Sequence, residues 1–150
     1  MKQFLLNLLF YLIALVLGAW VNGYLIQISS SVIEPPQGFD LSKEKGLRDA
    51  MDAGLMTPRY YIFPFLAHAL GTWVSAFTIA KLARTHQKER ALSFGFLFLT
   101  GGTWMVFILP SPLWFNAVDL LFAYVPMSYL GYIMARKKNK HMIYKSDKHV

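Results

Sequence analysis

Three ionisable side chains fall at or within the apolar stretches of this 150-residue chain: Arg59, His68 and Asp119. An ionisable group placed at the centre of a bilayer costs about 3 kcal/mol on insertion scales, so it marks a functional site with a partner to be found. His68 is the only histidine inside an apolar run, in FPFLAHALGT. A neutral imidazole both donates and accepts hydrogen bonds and exchanges protons near physiological pH, which suits a ligand-binding or proton-linked site. The plainer reading is a histidine bonded to a backbone carbonyl or a threonine on a neighbouring helix. Arg59 and Asp119 both fall near the outer ends of their expected spans, which predicts an ion pair between them. His68 lies nine residues inward of Arg59, or roughly 13 Å at the helical rise. That depth places it beyond direct contact with Asp119, unless a water chain or the bend expected at Pro64 shortens the gap. Thr72 and Asn22 complete the set of ligand or proton-linked candidates.

Other chemistries find no support in the sequence. There are no cysteines, which removes disulfides, thiol catalysis and thiolate metal sites. His86, His141 and His149 are dispersed in polar segments, so no metal site is expected. A haem would need a second axial ligand at matching depth. Met105 and Met127 read instead as packing. No phosphate loop, nucleophile elbow or pair of intramembrane carboxylates occurs. No catalytic residue and no cofactor is assigned.

The elements that position these residues follow from composition. The chain is 55% hydrophobic and 15% charged, whereas soluble domains carry about 25% charged residues. Four apolar blocks alternate with short polar ones, at about 4–28, 58–83, 91–109 and 117–135. About 20 apolar residues cross the hydrocarbon core as a helix. The expected fold is an all-α membrane protein of four transmembrane helices in an antiparallel bundle. Residues 1–136 make one domain, and 137–150 form a basic cytoplasmic tail. The external loop, 29–57, carries a short amphipathic helix, with Leu47, Met51 and Leu55 on one face. That helix reads as a connector or as a lid over a site.

Small residues mark where helices approach closely. Ala67, Gly71 and Ser75 recur at four-residue spacing in the second span; Ala14, Gly18 and Asn22 do so in the first. Gly101 and Gly102 thin the third span and allow close packing or local unwinding. Pro64 and Pro126 each remove a backbone hydrogen bond and predict bends.

Charge sets orientation. Lys81, Arg84, Lys88 and Arg90 flank one turn, and Arg136, Lys137, Lys138, Lys140, Lys145 and Lys148 fill the tail. The opposite side has Lys43, Lys45, Arg48 and Arg59, offset by acids. Both termini are therefore expected in the cytoplasm. The net charge of +7 is explained by topology, and no nucleic-acid partner is expected.

The segments FPFLAHALGT, GG.WMVF.LPSPLWF and DLLFAYVPMSYLG resemble those of small uncharacterised four-span bacterial integral membrane proteins. The likeness covers about the last hundred residues. It implies a multi-pass protein of the bacterial inner membrane and no activity. The sequence thus reads as a non-enzymatic helix bundle that binds membrane lipid or a small amphipath. It self-associates or joins another membrane protein. One alternative is a small dimeric carrier or channel using His68, with Arg59 and Asp119 as an outer gate. An intramembrane enzyme with His68 as base ranks last, for want of a second catalytic group within reach.

Overall fold

The computed structural model describes residues 2–146, with side chains through Arg136. Its helices are α1 (Lys2–Val32), α2 (Glu44–Asp52), α3 (Ile62–Leu82), α4 (Gln87–Ile108), α5 (Leu113–Phe122) and α6 (Val125–Ser146). A 3-10 turn, Pro58–Tyr61, leads directly into α3. Among the described residues there is no strand. Four stretches are long and apolar enough to cross a membrane: Lys2–Val32, Pro58–Leu82, Gln87–Ile108 and Leu113–Arg136.

α3 is the central element, packing against α1, α4 and α6. Its sequence explains why. Ala67, Gly71, Ser75 and Ala76 are buried, and their small side chains let neighbours approach. The Ser75 hydroxyl donates to the Ala14 carbonyl of α1 at 2.9 Å. A side chain on Gly18 would collide with Ser75 and the Gly71 carbonyl, and one on Gly71 would press on Gly18 and Asn22. The two small-residue strips therefore interlock with each other inside one chain. Gly131 of α6 likewise lies against the backbone of α3 at Trp73 and Phe77. Below this contact, Ala14, Ile79, Phe94 and Ala135 form an apolar core joining α1, α3, α4 and α6.

Several elements differ from the sequence reading. α1 has 31 residues, about 46 Å of helix, so it outruns a hydrocarbon core of roughly 30 Å. The second span opens with the 3-10 turn, in which the Thr57 carbonyl accepts from the Tyr60 N–H at 3.0 Å. Pro64 falls in the first turn of α3, where the missing N–H has no intrahelical partner to lose. α4 runs unbroken through Gly101 and Gly102, so local unwinding there is excluded. His86, just before α4, takes the left-handed conformation at φ 54°, which closes the basic turn.

The fourth span is the largest departure. Its helix begins at Leu113 rather than 117, and it is interrupted at Ala123 and Tyr124. Pro126 supplies the reason: without an N–H it cannot bond the Phe122 carbonyl, so α5 ends there. α6 then continues past the expected stop at Arg136 to Ser146. The last four residues of the basic tail lie outside the described residues.

The segment between α1 and the 3-10 turn, residues 33–57, contains α2, so the external loop begins four residues later than expected. Asp40 accepts from the Ser42 hydroxyl at 2.5 Å and from its N–H at 3.1 Å, and meets Lys43 at 3.0 Å. The Ser42 and Lys43 contacts hold its carboxyl down at about 2. Together they fix the lead into α2.

Candidate functional site: a cavity floored by His68 and Asp119

α3 and α5 each present one ionisable residue at the same depth. His68 follows Ile62 by six residues, and Asp119 follows Leu113 by six, roughly 9 Å along either helix. His68 Nδ1 lies 2.9 Å from both oxygens of Asp119. This overturns the expectation that His68 sits too deep for contact. Starting α5 four residues earlier moves Asp119 from the first turn to nearly two turns inside.

Tyr124 completes the cluster. Its hydroxyl donates to Asp119 Oδ2 at 2.8 Å and lies 3.0 Å from His68 Nδ1. Its ring stacks on the imidazole at 5.7 Å between centroids. Asp119 is 7% exposed and His68 27%. The buried carboxylate is thus the acceptor for two donors, Nδ1–H and the phenol. Of the two ring tautomers, the one protonated at Nδ1 is the one this network demands. His68 Nε2 has no partner among the described residues.

Neighbouring residues hold this geometry. The Thr72 hydroxyl donates to the His68 carbonyl at 2.7 Å, so this candidate secures backbone and does not reach the cavity. Gly102 has no side chain to displace the Tyr124 hydroxyl, with which any Cβ there would collide. Gly101 faces open space. Tyr61 packs against Trp114 and Phe115, with ring centroids 5.4 and 4.6 Å away. That contact pins the start of α5 to the start of α3. Ser111 donates to Asn116 Oδ1 at 2.6 Å, and Asn116 returns a bond to the Ser111 carbonyl. Asn116 therefore ties the preceding turn to α5.

Arg59 does not join Asp119. Its guanidinium donates to the Tyr60 hydroxyl at 3.0 Å and lies over that ring. Tyr60 in turn donates to the Glu34 carbonyl. The expected Arg59–Asp119 pair is replaced by this latch on the loop, because Asp119 lies well inside its helix. Asn22 packs beside Gly71 and is not on the cavity wall. Among the described residues, no three His, Asp or Glu side chains gather as a metal site.

Above His68 and Asp119 opens a cavity of about 620 Å³. Its walls come from the end of α1, the loop with α2, the start of α3, the last turns of α4, and α5. Most of the lining is apolar, including Ile26, Leu47, Met51, Met105 and Leu109. Such a volume lies inside the range of about 300–1,000 Å³ typical of small-molecule sites. The extra length of α1 builds one wall, and α2 contributes Leu47 and Met51 to the roof.

The sequence reading missed Tyr124. Five residues after Asp119 on an unbroken helix, it would point about 140° away. Pro126 was the available signal, since the break it causes turns Tyr124 back to Asp119. No protein-family model, curated protein or solved structure matches this chain.

Proposed function

We propose that this is a membrane protein that binds a small amphipath in the cavity, with the polar head at His68 and the apolar part along the walls. One observation carries the reading: an apolar cavity of ligand size ends on an imidazole whose far edge is unclaimed. Asp119 and Tyr124 hold that imidazole by its other nitrogen, which orients it toward a guest. In this reading the four spans form an antiparallel bundle with both termini in the cytoplasm of a bacterial cell. The cavity then opens on the external side, and α2 lies at the membrane surface as an amphipathic roof. The basic turn and tail support this orientation. A reporter fused after Val150 is expected to read as cytoplasmic; an external reading would invert the cavity.

Native mass spectrometry of the protein released from nanodiscs tests the binding role. A small molecule retained at fixed stoichiometry, and lost in His68→Ala, is the expected result. Retention indifferent to His68 would move the ligand elsewhere.

The His68–Asp119 bond also supports a second reading, a proton-linked carrier working as a dimer. Its signature is pH-dependent flux in proteoliposomes that His68→Ala abolishes. The pair further supplies the second group that an intramembrane base would need.

A further inference from the structure

The proposed binding role leaves the ligand's head group to be identified, and the cavity wall constrains it. No lysine or arginine lines the cavity. Arg59 is turned onto Tyr60. A phosphate or carboxylate head would find no cation and would sit against Asp119, and an unpaired buried charge is strongly disfavoured. A cationic head fares no better. Both Asp119 oxygens are engaged by His68, Oδ2 also by Tyr124, and the side chain is 7% exposed.

Most uncharged polar groups of the wall are also committed. Ser29 and Ser30 donate to the Ile26 and Gln27 carbonyls. Ser42 donates to Asp40, and Ser111 and Asn116 bond each other. Three groups have no hydrogen-bond partner among the described residues: His68 Nε2, the Gln27 side-chain amide and the hydroxyl of Tyr61, whose ring is packed against Trp114 and Phe115. With Nδ1–H given to Asp119, a neutral ring presents a lone pair at Nε2. Gln27 offers both a donor and an acceptor. Asn22 lies against Gly71, and α1 and α3 progress oppositely through their contacts. Gln27 therefore stands about half a turn outward of His68, roughly 3 Å in height.

We infer that the ligand is an uncharged amphipath with a hydroxyl head. The hydroxyl donates to His68 Nε2, and a second oxygen, where the head has one, meets the Gln27 amide. The tail runs along Ile26, Met51 and Met105. Long-chain alcohols and acylglycerols share this chemistry. The inference rests on the binding role proposed above.

The test uses the full chain in phosphatidylcholine nanodiscs, titrated with single-chain probes and read by native mass spectrometry. Oleyl alcohol and monooleoylglycerol are expected to bind about tenfold or more tightly than methyl oleate, which lacks the donor. Oleate and oleylamine are expected to bind no better than methyl oleate. Gln27→Leu, on the exposed wall, should weaken monooleoylglycerol several-fold while sparing oleyl alcohol; equal losses for the two probes would overturn the contact between Gln27 and a second head oxygen. His68→Phe should erase the preference for hydroxyl probes. If that variant fails to fold, the wild-type panel and Gln27→Leu still decide. Oleate or oleylamine binding as tightly as the alcohols, or methyl oleate matching them, overturns the hydroxyl head but leaves amphipath binding intact. Retention of no probe overturns both.

Discussion

Asp119 carries the polar chemistry of the cavity, and its own environment determines what His68 can offer. A buried carboxylate needs donors, and it has two: His68 Nδ1 and the Tyr124 hydroxyl. Removing either leaves the carboxylate underpaired in an apolar setting, where hydrogen bonds to charged groups matter most. Tyr124→Phe keeps ring volume and stacking but deletes one donor. It should cost about 1–3 kcal/mol of stability, read from reversible unfolding in bicelles, and should weaken ligand retention by loosening the imidazole. Stability and retention equal to wild type would show that Tyr124 is a bystander. His68 and Asp119 were legible as residues, since each is ionisable within an apolar run. Their pairing was not. It depended on where α5 begins, and the apolar block read as starting at 117 when Leu113 already starts the helix. Tyr124 was hidden for a different reason: helical periodicity holds only while the helix is intact, and Pro126 ends it.

At the scale of elements, the small-residue strips are spent on α1 against α3. Gly18, Gly71 and Ser75 bring the two backbones close enough for Ser75 to bond the Ala14 carbonyl. Their four-residue spacing was readable, and so was close helix contact, but which helix would fill the groove was not. Repeats on two segments of one chain match each other as well as they match a second copy. Gly71→Leu would force α1 away from α3 and is expected to destabilise the fold by about 1–3 kcal/mol or more, as overpacking does. Gly101→Leu, at a site with open space, should leave stability unchanged or raise it slightly through helix propensity. Thermal unfolding of the two variants in the same detergent checks this; equal losses would contradict the packing described. The same comparison separates the two glycines that the sequence presents as a pair, since Gly102 alone makes room for Tyr124.

Across the whole molecule, the four spans were legible because about 20 apolar residues in a row have few other uses. What surrounds them was less so. Hydropathy does not report that α1 runs on to Val32, or that α5 and α6 divide one span. These two irregularities build the site: the extra turns of α1 raise a wall, and the division of the last span brings Tyr124 to Asp119. A cavity is a property of how elements are spaced, so no single stretch of sequence contains it. Photo-crosslinking locates the ligand without relying on any variant. The full chain in nanodiscs is irradiated with a long-chain alcohol bearing a diazirine on its tail, and labelled residues are mapped by mass spectrometry. Labels are expected to concentrate on the cavity wall at Ile26, Met51, Met105 and Leu109 and to be competed away by unlabelled alcohol. Uncompeted labels confined to the exposed Phe107, Leu121 and Phe122 would contradict binding in the cavity.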